Sequence, residues 1–191
     1  MGSILSGIKR KYTVIPISNI NINEFSLFNC KIKPILYKTF QISDSNSSIN
    51  LCYVRYTHEW VEASASGGRT CEETNSYHFG YIENTINLGN TIIRPESYYD
   101  KFIDFFIHVE IDFKEHKEFS KKFYVISENE QLVKDNLNKR IMDLFCNYKE
   151  IHIEFRNNKC LFYLNSKMNL KSSLLLCEFG LKLDEIIKIC P

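Results

Sequence analysis

A helical stripe followed at once by a strand alternation constrains this chain more than any other feature. Val133, Leu137, Ile141, Leu144 and Phe145 recur at the spacing of one helix face, with charged residues on the opposite side. Ile151, Ile153 and Phe155 then alternate with His152 and Glu154, which is the period of a strand. Asn157-Asn158 can take the positive φ of a tight turn, and Cys160 to Leu164 returns as the second strand. Ser127-Glu128-Asn129-Glu130, just ahead of the stripe, has the capping-box pattern: the Ser127 hydroxyl can accept from the Glu130 amide while the Glu130 carboxylate reaches back. The spacing predicts one helix over 128–145, lying on one face of a hairpin over 150–165.

The same two periods organise the rest of the chain. Ile32, Ile35, Tyr37 and Phe40 read as a strand, with Pro34 at its start or on an edge. After the polar turn 43–48, Asn50, Cys52, Val54 and Tyr56 fall on one parity, and Leu51, Tyr53 and Arg55 on the other. Residues 62–70, rich in Ala, Ser and Gly, predict a flexible loop, because small side chains cannot bury a core. Thr74 to Tyr81 returns as a strand, and a further strand-like piece spans 86–93. After Pro95, the residues Tyr98, Phe102, Phe105 and Phe106 recur at helical spacing, which predicts a helix over 96–107. Pro95 fits its first turn, and Glu96 complements its positive end. Lys122 to Ile126 reads as a short strand, and 170–189 as a helix interrupted near Gly180. The fold class is therefore α+β, with antiparallel β-hairpins packed against two or three helices. Residues 1–30 form a helical or irregular segment that docks through Phe25, Leu27 and Phe28. Residues 31–191 make a single α+β domain, with room for two packed halves: a β-rich 31–93 and a mixed 94–191.

Charge removes one class of partner. The 24 Lys and Arg against 23 Asp and Glu leave no basic excess to attract nucleic acid nonspecifically. Seven cysteines, an odd number with no Cys-x-x-Cys pair, read as reduced thiols of a cytoplasmic protein, and the N-terminus lacks the apolar stretch of a secretory leader. The longest apolar run, Leu174 to Cys177, is far too short to span a bilayer.

Several steps along the chain form a recognisable series. They are Phe25-Ser26-Leu27-Phe28, Tyr53-Val54-Arg55-Tyr56, Arg94-Pro95-Glu96, Glu110-Ile111-Asp112-Phe113 and Phe119-Ser120, followed by a strand, a helix and a hairpin. Over residues 12–165 the chain resembles an uncharacterised bacterial protein family with the same order of motifs. Members of that family often carry hydrophobic membrane segments, which this sequence lacks, and the resemblance implies no catalytic residue.

The chemistry-bearing residues point to binding. His58-Glu59 is half of a zinc-protease signature, but Glu62 stands where the second histidine belongs. Cys52, His58, Cys71 and His78 converge if their strands pair, without the close cysteine spacing of a zinc site. Glu110 and Asp112 share a face if extended, but two carboxylates are too few for a hard cation, and Arg94 is a natural partner for Asp112. No metal, cofactor or catalytic residue is assigned. Gly67-Gly68-Arg69-Thr70 lacks the lysine of a phosphate loop, yet an arginine at a mobile tip can hold an anion. His58, Arg69 and His78 are therefore the candidate ligand-binding residues. Met1-Gly2-Ser3-Ile4-Leu5-Ser6 fits the N-myristoylation pattern at Gly2, and Lys9-Arg10-Lys11 supplies the basic second signal for a membrane surface. These features describe a cytoplasmic module that binds an as yet unidentified protein partner or a small anionic ligand without catalysis. Two alternatives stand beside it: a lipid-tethered peripheral membrane protein, and a small enzyme or anion-binding protein using 62–70.

Overall fold

The computed structural model describes residues 2–18, 20–28, 35–64, 67–96 and 109–189. Among them, nine strands build one antiparallel sheet: β1 (Thr13–Ile17), β2 (Ile35–Ser43), β3 (Ser48–Ser64), β4 (Gly67–Ile82), β5 (Asn90–Pro95), β6 (Val109–Glu110), β7 (Phe123–Ser127), β8 (Ile151–Arg156) and β9 (Lys159–Leu164). Their order across the sheet is β1-β2-β3-β4-β9-β8-β5-β7-β6. Five helices accompany them: α1 (Gly2–Lys9), α2 (Lys117–Lys122), α3 (Glu130–Asn136), α4 (Lys139–Asn147) and α5 (Leu170–Ile189). The α+β class read from the sequence is the class observed.

Alternation along each strand sends apolar side chains to both faces of the sheet. Ile49, Leu51, Tyr53, Ile93, Val125, Ile153, Phe155 and Phe162 enter a core shared with Ile4 and Ile8 of α1, Ile141 and Phe145 of α4, and Leu176 and Leu183 of α5. On the other face Cys52, Val54, Phe79, Tyr81 and Leu161 are covered by Ile22, Phe25 and Phe28. The rings of Phe25 and Phe28 meet Tyr81 and Phe79 edge-on at 6.0 and 5.8 Å. The N-terminal segment is thus built into the molecule twice, by these rings and by β1, which pairs with β2 and carries Pro16 on the sheet's outer strand.

Helix α5 runs through Gly180 without a break, which corrects the expected interruption. A glycine inside a helix costs about 1 kcal/mol relative to alanine, but here a Cβ would stand 2.4 Å from the Phe162 ring. A Cβ at Gly80, directly opposite Phe162 in the sheet, would stand 2.0 Å from the same ring. Phe162 is slotted between the two glycines, and that slot lets α5 approach the sheet.

The helix expected over 128–145 is two helices. Asn138 caps α4, its Oδ1 accepting from the Ile141 amide at 3.1 Å, and Leu137 ends α3. Asn129, not Ser127, caps α3 by accepting from the Leu132 amide at 3.0 Å. Ser127 belongs to β7, where its Oγ accepts from the Asn129 amide at 3.2 Å and from Thr91 at 2.8 Å. The apolar stripe survives the break, since Val133, Leu137, Ile141, Leu144 and Phe145 are all buried. Lys122 closes α2, so the short strand starts at Phe123. Pro95 ends β5, opposite Phe123, and the helix expected over 96–107 lies outside the described residues beyond Glu96. The strand expected over 86–93 begins at Asn90. Pro34 likewise lies outside the described residues.

The largest departure is at 62–70. The expected loop is strand almost throughout: β3 continues to Ser64 and β4 starts at Gly67. A ladder is made by backbone groups, so small residues that cannot build a core can still carry it. The register holds without a bulge from Asn50 opposite Tyr81 to Ser64 opposite Gly67.

Candidate functional site

The fifteen-pair ladder of β3 and β4 is flanked over only part of its length. Strand β2 pairs with β3 as far as Arg55, and β9 pairs with β4 only over Phe79 to Ile82. Beyond those points, 56–64 and 67–75 run on as a two-stranded arm, with no third strand beside it among the described residues. Nine residue pairs extend about 30 Å at strand rise.

Cross-strand partners share a face. One face of the arm carries positions 56, 58, 60 and 62 opposite 75, 73, 71 and 69, and the other carries 57, 59 and 61 opposite 74, 72 and 70. At the base, Tyr56 and Tyr77 meet edge-on at 5.4 Å, and the Arg55 guanidinium lies 3.8 Å over the Tyr37 ring. Farther out, the Thr57 and Thr74 hydroxyls are 3.3 Å apart, and the Cys71 thiol reaches Glu62 Oε2 at 3.6 Å. Trp60 is 41% exposed and Val61 70% exposed, on opposite faces. The arm carries four glutamates to one arginine. Two of the glutamates, 59 and 72, occupy directly opposed positions. Like charges opposed in this way destabilise a ribbon that stands alone.

The three residues singled out as a ligand site are spread along this hairpin. His78 pairs with Tyr53, position 58 with Glu73, and Arg69 with Glu62. Those levels are about 17 and 14 Å apart at strand rise. Parity places position 58 and Arg69 on one face and His78 on the other, beneath α5. The side chain of His58 lies outside the described residues. Arg69 is exposed among carboxylates, a setting that repels anions. His78 is buried, and no protein group bonds its Nδ1. Burial pushes its pKa down to about 4, so it is neutral at physiological pH.

Other polar groups are committed to structure. His116 Nδ1 accepts from the Phe119 amide at 3.2 Å, which places the proton on Nε2, 2.8 Å from Asp143 Oδ1. Both ring nitrogens are occupied, so this pair cannot relay a proton for a nucleophile. Glu154 is buried and fully engaged: it accepts from the Ser26 amide and hydroxyl at 2.8 and 2.7 Å and from Arg156 at 2.6 Å. These bonds latch the segment bearing Phe25 and Phe28 onto β8. In the polar cleft lined by Gln41, Ser48, Asn50, Glu83, Asp184 and Lys188, the Asp184 carboxylate is taken by the Ser48 amide and by Lys188. Burial raises the thiols of Cys52 and Cys177 to about 12 and that of Cys160 well above its ordinary value, so none is a thiolate at neutral pH. Among the described residues, no cluster of three His, Cys, Asp or Glu that could hold a metal occurs, and no helix is long and apolar enough to cross a membrane.

Gly2 opens α1 with space around it, while Ile4 and Ile8 on the same helix are buried. Lys9 and Arg10 are exposed, and Lys11 pairs with Glu178 at 3.9 Å.

The residues that reading by pattern passed over are Trp60 and Val61. Their signal was present: the alternation of the second strand continues past Tyr56 into His58, Trp60 and Glu62. The chain matches no family model, and neither a curated protein nor a solved structure matches it.

Proposed function

We propose that this protein works by binding, without catalysis, and that the arm of β3 and β4 is its recognition element. The observation that carries this reading is the run of nine residue pairs beyond the last flanking strand, with Trp60 and Val61 exposed on it. An isolated two-stranded ribbon is marginal in water. Open strand edges are docking templates, where main-chain bonds give affinity and alternate side chains give selectivity. A ribbon of this length with a large aromatic at its middle is suited to a partner that pairs along its edge.

The test joins Tyr56 to Asn75 through an Asn-Gly turn and compares the shortened protein with the full chain as bait for cellular partners. A protein held by the full chain and released by the shortened one supports the reading. Equal capture by both, or a saturable turnover of ester or phosphate substrates lost on one substitution, contradicts it.

A second reading is favoured by the open position of Gly2 beside the exposed Lys9 and Arg10. An acyl chain on Gly2 together with these cations would tether the protein to an anionic membrane surface. Mass spectrometry of the native N-terminus decides it. An acylated Gly2 with liposome binding supports it; an unmodified N-terminus with no liposome binding ends it.

A further inference from the structure

Strand β4 offers the more informative edge of the arm. From Arg69 to Ser76 its residues are exposed, except for a half-buried Cys71, and among the described residues no strand pairs with that side before Phe79. A second copy of the chain can add there as an antiparallel strand about a two-fold axis, giving a closed, isologous contact. Such an axis, normal to the ribbon, keeps each face on its own side, so the two strands meet about a single residue opposite itself.

Charge selects among those residues. An axis at Arg69, Glu72 or Glu73 sets like charges opposite each other. An axis at Thr70 puts Arg69 across from a cysteine and pairs no acid with a base. An axis at Cys71 puts Arg69 across from Glu73 of the partner, Thr70 across from Glu72, and Cys71 across from itself, each set on one face. Arg69 is available for this, because it makes no ion pair within its own chain among the described residues. Trp60, directly opposite Cys71 in the ribbon, flanks the axis on the same face.

We infer that the arm's partner is a second copy of this chain, joined edge to edge along β4 about Cys71 with Arg69 and Glu73 paired reciprocally. The inference rests on the arm being the recognition element. The paired segments, 67–75 in each copy, stop short of Phe79, where β9 starts to pair with β4. Directly opposed Cα atoms in antiparallel strands are about 4.5–5.5 Å apart, a spacing that a disulfide spans. Two Cys71 thiols can therefore lose two protons and two electrons to diamide, which is reduced to the hydrazine, and form one S–S bond.

The test is sedimentation of the full chain over a concentration series, read together with the emission of Trp60, the only tryptophan. The expected result is a dimer whose formation shifts Trp60 emission to the blue, and a diamide-linked dimer that Cys71→Ser abolishes. Arg69→Glu should weaken association by about tenfold or more, and adding Glu73→Arg should restore it, since the pair is then reversed in both copies. A monomer at every concentration, or a dimer indifferent to Arg69→Glu and to Cys71→Ser, overturns the inference. In that event, loss of a different captured protein on shortening the arm would leave the arm's role standing, and its retention would remove both.

Discussion

The two ends of the β3–β4 hairpin share one register and one pair of strands, yet they are different materials. At the packed end Leu51, Cys52 and Tyr53 face Gly80, Phe79 and His78, and all six are buried. At the arm, the positions opposite Glu72 to Ser76 belong to a ribbon whose β4 side is exposed. Backbone pairing is continuous across both, so pairing sets the path of the chain, whereas burial sets how strongly each stretch is held. The packed end is framework, and the arm is surface that the framework presents.

The largest effect that separates the two ends should come from the ring between Gly80 and Gly180. Phe162→Ala empties the slot that seats α5 and should cost about 3–5 kcal/mol, read by denaturant unfolding. A loss below about 1 kcal/mol would mean that α5 is held elsewhere. Acid should act next, and again at the packed end. His78 is buried with a pKa of about 4, below the ordinary 6.5, so between those values the unfolded chain takes up a proton that the folded chain refuses. Stability is complete above pH 6.5 and falls as the pH drops toward 4, by about 3 kcal/mol from this group. His78→Phe should remove that part of the pH dependence. Equal slopes in the two proteins would show that His78 is solvated.

Ser26→Ala tests the latch on the other face. It removes a hydroxyl bond to the buried Glu154 carboxylate and should cost about 1.5–3 kcal/mol, with faster proteolysis of 20–28; an unchanged melting point would show the latch to be incidental. The smallest change should come from the arm, where Trp60→Ala should leave the stability of the fold within about 0.5 kcal/mol. A larger loss would mean that Trp60 packs as framework and that the contrast between the two ends is misplaced.

How far the sequence discloses this arrangement depends on how local each cause is. The 151–164 hairpin and the 133–145 stripe were legible because period and turn chemistry are written in neighbouring residues, down to the positive φ of 55° at Asn157. The break at Leu137 was not legible, because Asn138 is a cap only once the chain turns there. Nor was the fate of Gly180: its role is set by Phe162, on a strand the helix meets only in three dimensions. The arm was not legible, because small residues speak against a core and say nothing against a ladder. The proposed site residues failed to converge because His58, Arg69 and His78 were grouped by chemistry, and five or nine steps along a strand separate what composition draws together.

The contrast is tested most directly by hydrogen exchange on the full chain in dilute solution, read residue by residue along β3 and β4. Amides of 49–54 and 79–82 should exchange only with global unfolding, while those of 57–63 and 69–75 exchange at least about a hundredfold faster through local opening. Equal protection along the whole ladder would contradict it, since the arm would then be framework like the rest.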